Sequence, residues 1–384
     1  MSFVTAKLKD ISIIQTGKLD ANAAVENGSY PFFTCDPVTL HIDKWAYDTE
    51  AVLLAGNNAS GNYTAKYYNG KFNAYQRTYI IESVNTTILN TRFLCYSLNQ
   101  QLRLLKTMSS GSTTKFLTIR MLHTLDIPLP NIDLQNRIVE IVSAYDDLIE
   151  NNQKQIKLLE EAAQRLYKEW FIDLHFPGHE NTPIHDGLPE GWEKVTIADV
   201  CETVGGGTPS TSHNEYYENG TIRWVTPTDL TKKHSLILLD TEKRITQEGL
   251  KNSSAKLLPP ETILMTSRAS IGYFAVCEHE VCTNQGFISC IPKQEEMRYY
   301  LLFNLMNRVD EIKGKATGST FLEIAKRTFR ELSIAIPSNI LLTTFHEIVI
   351  PMISKIRVIE KEIVQLLDAR DRLLPQLMSG ELKL

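Results

Sequence analysis

The amino-acid sequence predicts an α+β protein with two tandem mixed α/β modules, each followed by a long helix, the two helices pairing as an antiparallel coiled coil. Three observations support this prediction. The chain repeats itself at a fixed offset, strand-like and helix-like segments follow the same order in both halves, and each half ends on a heptad pattern. A chain of 384 residues with 43% hydrophobic and 22% charged residues suits two or three globular domains.

The internal repeat is visible in short phrases that share one offset. "GSTTKFL" at 111–117 returns as "GSTFLEI" at 318–324, and "LDIPLP" at 125–130 returns as "LSIAIP" at 332–337, both 207 residues later. Nearer the start, Asp10-Ile11 aligns with Asp199-Val200 at an offset of 189. The first module is therefore 18 residues shorter ahead of the GST phrase than the second. From the GST phrase onwards the offset of 207 holds without a gap, which indicates a duplicated unit.

Each module is expected to be rich in short strands. Strand-like segments in the first are "AVLLAG", "RTYIIES" and "LDIPLP"; in the second they are "TIRWVTP", "TILMTS", "GYFAV", "GFISCIP" and "LSIAIP". Gly and Asn in "NNASGNY" and "YNGKFN" mark connections between strands. A helix-like stretch precedes the GST phrase in both halves, at 90–108 and at 297–314.

The segment after each module has the spacing of a coiled-coil seam. The first seam is Ile138, Val142, Tyr145, Ile149, Asn152, Ile156, Leu159, Ala163, Leu166 and Trp170. The second is Phe345, Val349, Met352, Ile356, Ile359, Ile363, Leu366, Arg370, Leu373 and Leu377. The predicted boundaries are a first module at 1–130, a long helix at 131–172, a linker at 173–192, a second module at 193–337, and a second long helix with a C-terminal tail at 338–384.

Several classes of site have no motif in this chain. No phosphate-binding P-loop, amino-methyltransferase tetrapeptide or metal-ligand spacing occurs, and Gly205-Gly206-Gly207 is interpreted as a turn or a close backbone approach. The sequence therefore predicts no catalytic residues, no cofactor and no metal. The start has no signal-peptide pattern, no apolar run is long enough to span a bilayer, and the six cysteines show no CxxC pair. We expect a cytoplasmic protein with reduced cysteines.

The net charge of −5 hides an uneven distribution. Residues 1–130 carry 12 Lys and Arg against 9 Asp and Glu, whereas 131–182 carry 5 against 10. The first module is therefore mildly basic and the first long helix acidic. We expect acidic residues such as Asp146, Asp147 and Glu150 to suit a basic protein surface.

Polar loops in both modules carry the residue types that contact DNA. Asn and Gln can bond adenine and Arg can bond guanine, while Ser, Thr and Lys hold phosphates. The candidates in the first module are Asn57, Asn58, Ser60, Asn62, Tyr63, Lys66, Tyr75, Gln76, Arg77, Thr113, Thr114 and Lys115. Those in the second are Thr226, Thr228, Lys232, Ser267, Arg268, Ser270, Tyr273, Asn284, Gln285, Ser319 and Thr320. Two loops align between repeats, "ASGNY" with "ASIGY" and "NAYQ" with "CTNQ".

Three further phrases stand at the ends of these elements: "RLYKEWFIDLHFPG" closes the first long helix, "LPEGWEKVTIADV" opens the second module, and "RDRLLPQLMSGELKL" closes the second helix. With these phrases in this order, the chain resembles the specificity subunits of type I restriction–modification systems. The resemblance implies two target-recognition domains, each reading one half of a bipartite site in double-stranded DNA. It also implies a helix pair that sets the spacer and docks two modification (methyltransferase) subunits, and through them the restriction (endonuclease/translocase) subunits. Methylation and cleavage would belong to those partners.

Two other functions stay open at this point. A non-enzymatic scaffold, with two modules joining other proteins, would fit the acidic first helix. A DNA-modifying enzyme would need a cofactor-binding domain for which the sequence has no motif.

Overall fold

The computed structural model describes residues 3–59, 61–109, 111, 114–232, 235–382 and 384. They divide into two compact units, Met1–Ile149 with Gln365–Leu384, and Glu150–Val364. Each unit contains one strand-rich module together with a part of both long helices, Ile132–Phe171 and Asn339–Ser379. Among the described residues no helix has the length and hydropathy needed to cross a membrane.

The first unit is organised around a six-stranded sheet. Its spatial order is Ser12–Thr16, Thr78–Ser83, Tyr47–Ala55, Ala65–Ala74, Tyr30–Phe33 and Leu40–Ile42. All neighbours are antiparallel except Tyr30–Phe33 beside Ala65–Ala74. Two short antiparallel ladders pair Thr5–Lys7 with Asp126–Pro128 and Asn57–Asn58 with Lys115–Phe116. The shorter helices are Leu8–Ile11, Ala21–Ala23 (3₁₀), Thr91–Gln100, Leu102–Met108 and Ile119–His123.

The second unit has a five-stranded sheet in the order Cys201–Gly205, Phe287–Pro292, Ile263–Thr266, Phe274–Cys277 and Ile237–Leu238. A three-stranded sheet contains Lys243–Ile245, Ile222–Val225 and Cys282–Thr283. Ladders pair Glu193–Thr196 with Ser333–Ile336 and Ile184–His185 with Leu188–Pro189. The shorter helices are His179–Asn181 (3₁₀), Ile197–Val200, Asn214–Tyr216 (3₁₀), Pro227–Thr231, Gln247–Lys251, Met297–Asn307, Val309–Gly314 and Lys326–Arg330.

Equivalent elements recur at the offsets read from the sequence. Strand Ser12–Thr16 becomes Cys201–Gly205, a shift of 189. The helical stretch before the GST phrase is interrupted at one residue in both units, at Gln101 and at Arg308, a shift of 207. The predicted duplication, with two mixed modules and two long helices, is confirmed.

The eight strand-like segments of the sequence all contain strands, but other strands were missed, and the longest of them is Ala65–Ala74. "YNGKFN" was taken as a connection, whereas Ala65–Ala74 is one continuous ten-residue strand that pairs with Tyr47–Ala55. The prediction is wrong because Tyr67, Tyr68 and Phe72 supply strand-favouring aromatic side chains around Asn69-Gly70. The antiparallel ladder with Tyr47–Ala55 runs through both residues and outweighs the local turn preference.

The long helices bury the predicted seams. In the first unit Ile138 and Val142 lie in one core cluster with Leu374 and Leu377. In the second, Trp170 packs on Phe345 with ring centroids 6.0 Å apart. The beginning of the first helix thus packs against the end of the second, and its end against the beginning of the second, which is antiparallel pairing. The second helix continues through Pro351 and Pro375 without a break.

An ionic cluster in the first unit joins its module to both long helices. Asp146 accepts hydrogen bonds from Tyr96 Oη at 2.6 Å and from Arg370 Nη1 at 2.9 Å, and Arg92 Nη2 lies 2.9 Å from Asp147 Oδ1. Asp146 is about one-quarter exposed. Internal donors therefore occupy both carboxylate oxygens of Asp146, whereas Asp147 and Glu150, the other acidic residues expected to face a partner protein, are each 64% exposed. Arg370 interrupts the apolar seam in order to make this pair.

Replacing Asp146 with Asn should lower the free energy of unfolding of the first unit by about 1–3 kcal/mol, because one charge-assisted acceptor is lost and Arg370 loses its partner on the first helix. Glu150→Gln is the matched control. Among the described residues Glu150 forms an ion pair with Lys154 alone, four residues along, and it is 64% exposed, so the change should be below about 0.5 kcal/mol. Urea unfolding measures both values, and equal losses would contradict an internal role for Asp146.

Candidate nucleic-acid interface

In both units three loop segments meet through the same two backbone hydrogen bonds. Gly56 N donates to Arg77 O at 2.8 Å, and Leu117 N donates to Gly56 O at 2.8 Å. In the second unit Ser267 N donates to Gly286 O at 2.8 Å, and Ile324 N donates to Ser267 O at 3.0 Å. We call each arrangement a three-loop junction. The first consists of segments 75–77, 56–58 and 114–117, and the second of segments 284–286, 267–270 and 319–324.

Each junction is supported by a glycine in the loop after the first sheet strand. A Cβ on Gly17 would lie 2.1 Å from Ala74 O, and a Cβ on Gly206 would lie 2.2 Å from Thr283 O and 2.1 Å from Asn284 O. Gly17 and Gly206 are equivalent at the offset of 189. The interpretation of Gly205-Gly206-Gly207 as a close backbone approach is therefore confirmed, since Gly206 lets two backbone segments touch.

Gly206→Ala should destabilise the second unit by about 1–3 kcal/mol or more and displace the loop that carries Gln285, because the contacted atoms are backbone and cannot rotate away. Gly314→Ala is the matched control. Among the described residues, no atom beyond its chain neighbours and its own helix backbone lies within 4 Å of the added Cβ. Gly314 sits at the end of helix Val309–Gly314, where alanine is at least as favourable as glycine. Thermal unfolding compares the two, and an unaffected Gly206→Ala protein would contradict the packing described here.

Equivalent glutamines stand at the two junctions. Gln76 and Gln285 are both exposed, and each contacts the loop that follows the first sheet strand. Gln76 Nε2 donates to Asp20 Oδ1 at 2.5 Å, whereas Gln285 Oε1 accepts from the Thr208 hydroxyl. The sequence alignment of "NAYQ" with "CTNQ" is thus a structural equivalence, and the two glutamines are held in place by different neighbours.

Arg77 stands beside Gln76 and is exposed. In the described part of the chain its guanidinium makes no hydrogen bond or ion pair within contact distance. It borders a concavity of about 330 Å³, lined by Thr16, Gly56, Gln76, Arg77, Tyr79, Phe116 and Leu117. A forked donor beside an open concavity can bond a planar acceptor pair such as the edge of guanine.

The remaining candidates at the first junction form a polar group around the Asn57–Asn58 ladder. Asn58 Oδ1 accepts from Asn62 N at 3.1 Å, and Asn62 Oδ1 accepts from Lys106 Nζ at 2.8 Å. Lys115 lies opposite Asn58 in the ladder, and the neighbouring Thr114 is exposed. Lys106 and Lys115 therefore place two cations on one side of the junction.

At the second junction the equivalent loops are closed by an ion pair. Arg268 Nε lies 3.6 Å from Glu323 Oε2, and Ala269 N donates to Leu322 O at 2.8 Å. Ser270, Ser319 and Thr320 are exposed near these bonds, as is Tyr273.

Three candidates of the second module lie on the segment around helix Pro227–Thr231. Thr226 is the N-cap of this helix in a capping box with Asp229, whose Oδ2 accepts from Thr226 N at 2.7 Å and from the Thr226 hydroxyl at 2.7 Å. Thr228 and Lys232 are exposed, and Lys232 lies 3.4 Å from Glu242. Asn284 N donates to Val225 O at 3.0 Å and brings this segment beside the junction.

Three of the predicted DNA-contacting residues are buried or bonded within their own module. Tyr63 is 4% and Ser267 is 2% exposed, so neither side chain can contact DNA, and the prediction for these two residues is wrong. Lys66 Nζ donates to Asp36 O at 3.2 Å and to Thr39 Oγ1 at 3.1 Å, and burial lowers its pKa below the usual value.

The remaining predicted DNA-contacting residues either make bonds within their own module or lie outside the described residues. Asn57 and Tyr75 are half-buried, and Tyr75 N donates to Phe33 O at 2.9 Å. Asn284 uses its side-chain oxygen to accept from Gly286 N at 2.9 Å. Ser60 and Thr113 lie outside the described residues.

Sequence reasoning missed Asp20, Thr208 and Lys106, which hold the polar side chains of the junctions. The signal for Thr208 was its position two residues after Gly206, at the close backbone approach. Within the described ranges no group of three metal-ligating side chains is close enough to hold an ion.

Comparison with known proteins agrees with this architecture. The family described as "Type I restriction modification DNA specificity domain" matches residues 2–161 and 189–382. A crystal structure of the type I restriction–modification S subunit from M. genitalium superposes with a TM-score of 0.62, 18% sequence identity, and coverage of 98% of this chain and 96% of that chain. At 18% identity, the likeness to this crystal structure shows a shared fold.

Curated relatives match over parts of the chain. The MjaIX specificity subunit of Methanocaldococcus jannaschii is 39% identical over 153 residues, which are 39% of this chain and 35% of that protein. The EcoDI specificity subunit of Escherichia coli is 37% identical over 221 residues, 52% of this chain and 48% of that protein. The matched stretches thus span about half or less of these two relatives. The HindI specificity subunit of Haemophilus influenzae is 23% identical over 336 residues, 71% of this chain and 72% of that protein.

The fold and the duplicated junctions define a two-module protein with a shared antiparallel helix pair. The family match covers most of both halves of the chain. The chain belongs to the family of type I restriction–modification DNA specificity domains.

Proposed function

We propose that this chain is the non-catalytic, sequence-specific DNA-binding subunit of a type I restriction–modification complex. Each module reads one half of a bipartite site in double-stranded DNA, and the helix pair sets the length of the unspecified spacer and docks two modification subunits. Restriction subunits join through those partners. The family relationship supports the class of protein, and the names of the relatives support its place in such a complex.

One observation carries the proposal at the level of residues. The two junctions have the same backbone geometry but display different side chains: Gln76 with Arg77 and Lys115 in the first, Gln285 with Arg268 and Tyr273 in the second. A conserved frame with different polar surfaces suits two readers of different sequences, because base edges are distinguished by side-chain donors and acceptors. A scaffold function would not require the same loop frame twice.

Mapping of methylated bases in cells that carry the chain with its modification subunits tests this proposal. We expect one motif composed of two short specified blocks separated by a fixed number of unspecified base pairs. Methylation that persists when this chain is deleted would contradict the proposal. Unchanged methylation together with loss of another complex would favour the scaffold. Methylation by the chain purified alone with S-adenosylmethionine would indicate an enzyme.

A further inference from the structure

The glycine that opens the GST phrase has the same local geometry in both modules. Gly111 and Gly318 have positive φ angles of 109° and 139°. A Cβ on Gly111 would lie 2.0 Å from Thr114 O, and a Cβ on Gly318 would lie 2.1 Å from Phe321 O. The glycine of each turn thus contacts the carbonyl three residues later, in a conformation that favours glycine. This geometry explains why the phrase recurs in the sequence.

The side chains at equivalent positions of the two turns differ. The first turn carries Thr114 and Lys115, and the second carries Phe321 and Leu322 at the offset of 207. Phe321 is 56% and Leu322 is 50% exposed. Exposure of two adjacent large apolar side chains to water is unfavourable and can mark a binding surface.

The apolar pair is held rigidly at the second junction. Thr317 and Glu323 exchange two backbone hydrogen bonds of 3.0 and 2.9 Å across the turn. Leu322 O accepts from Ala269 N at 2.8 Å, and the Glu323 carboxylate pairs with Arg268. The backbone that carries Phe321 and Leu322 is therefore tied down beside Arg268, so little backbone freedom is left to lose on binding.

The charge around the turn indicates the kind of partner. Residues 311–331 contain Lys313, Lys315, Lys326, Arg327 and Arg330 against three acidic residues, Glu311, Glu323 and Glu331, and Arg327 pairs with Glu331 at 2.9 Å. The five basic residues are exposed and the segment keeps a net positive charge of two. A polyanion is therefore attracted to the surroundings of the apolar pair, whereas a basic protein surface is repelled.

We infer that Phe321 and Leu322 make an apolar contact with the bases of the half-site read by the second module, at the position where the first module presents Thr114 and Lys115. This inference rests on the proposed function. The apolar surface of DNA bases comes from two sources, the thymine methyl group in the major groove and the face of a base at an opened step. The first module makes a polar, salt-sensitive contact at the same place.

The test uses the full chain assembled with its modification subunits, and duplexes that carry its mapped site. The graft Phe321→Thr with Leu322→Lys places the side chains of the first turn on the second. We expect it to weaken binding by about tenfold at low salt, because burial of apolar surface is lost, and to raise the salt slope by about one, because a cation is added. The matched control, Thr114→Ala with Lys115→Ala, should lower the slope by about one.

Two modified duplexes distinguish the sources. Uracil in place of thymine in the second half-site removes the methyl group, and it should weaken the wild type but not the graft if the methyl is contacted. 2-Aminopurine at each step of that half-site reports unstacking, and its fluorescence should rise with the wild type but not with the graft if a step is opened. An unaltered response to both duplexes would overturn the inference.

Failure of the inference can be separated from failure of the proposed function. If the wild-type complex shows no preference for its site, the proposed function fails. If the wild type discriminates and the graft binds with the same affinity and salt slope, the apolar contact is refuted. Loss of the modification subunits from the purified graft complex would assign the pair to a protein interface, and this also overturns the inference.

Discussion

Replacing Gln76 and Arg77 with alanine is expected to relax recognition of one half-site, by about 1–3 kcal/mol per lost base contact, and to leave the other half-site unchanged. The physical reason is the position of the two residues at the first junction. Arg77 is exposed beside a concavity, and its fork of donors matches the acceptor pair of guanine. Gln76 already gives one donor to Asp20, so we expect Arg77 to contribute more of the loss.

Three further variants sharpen this experiment. Arg77→Lys keeps the charge but removes the planar fork, so it should retain the salt dependence and lose discrimination. Arg137→Ala removes the same charge from the first long helix, where Arg137 pairs with Glu140 at 2.7 Å, and should leave discrimination intact. Replacing Arg268 and Gln285 with alanine should relax the other half-site. Selection from duplexes randomised in each half-site measures all of them. Equal loss at both half-sites, or at neither, would mean that these loops are structural turns.

Lengthening both helices by one heptad is expected to lengthen the preferred spacer by about three base pairs, with both half-site sequences unchanged. Seven residues add roughly 10 Å of helix, and a base pair rises about 3.4 Å. The insertions follow Gln155 and Glu362. Trp170 packs on Phe345, and the helices are antiparallel, so fifteen residues before Trp170, at Gln155, the first helix lies near residue 360 of the second. The two insertions therefore fall almost opposite each other. Each adds a whole heptad, which keeps the seam in phase.

The added base pairs also rotate one half-site about the DNA axis, and this rotation lowers the affinity expected of the lengthened variant. Three base pairs turn one half-site by roughly 100° about the DNA axis, since one turn takes about 10.5 base pairs. The variant should therefore bind more weakly than the wild type even at its new optimum. Methylation of a library of spacer lengths measures the preference. The control is an insertion of four residues in each helix. It shifts the seam out of phase and should impair folding of the helix pair. Full methylation at the original spacer would show that the helices do not set the distance.

The sequence was most informative where structure depends on local pattern. Heptad spacing placed the two long helices, and Asn152 is buried in the predicted seam as expected. The equivalence of Gln76 and Gln285 followed from aligned letters. These features repeat, and a repeat gives two independent observations of one structural requirement.

Features that depend on contacts distant in the sequence could not be predicted. Asp146 looked like a surface charge because nothing nearby in the chain shows that Arg370, 224 residues away, pairs with it. Tyr63 and Ser267 have residue types suited to DNA, but the packing of the sheets buries them. Strand Ala65–Ala74 runs through an Asn-Gly pair because Asn69 and Gly70 pair with Glu50 and Thr49 of the neighbouring strand Tyr47–Ala55.

A chain that carries the second module in both positions tests the central claim most directly. Residues 193–337 would replace 4–130, which preserves the equivalent ladders Thr5–Lys7 with Asp126–Pro128 and Glu193–Thr196 with Ser333–Ile336. Methylated sites would be mapped with the modification subunits present, after cooperative unfolding of the purified chain has been verified. If each module is an independent reader, the motif will contain the second half-site twice, at the wild-type spacing. A folded chain that still methylates the original two-part motif would contradict the account.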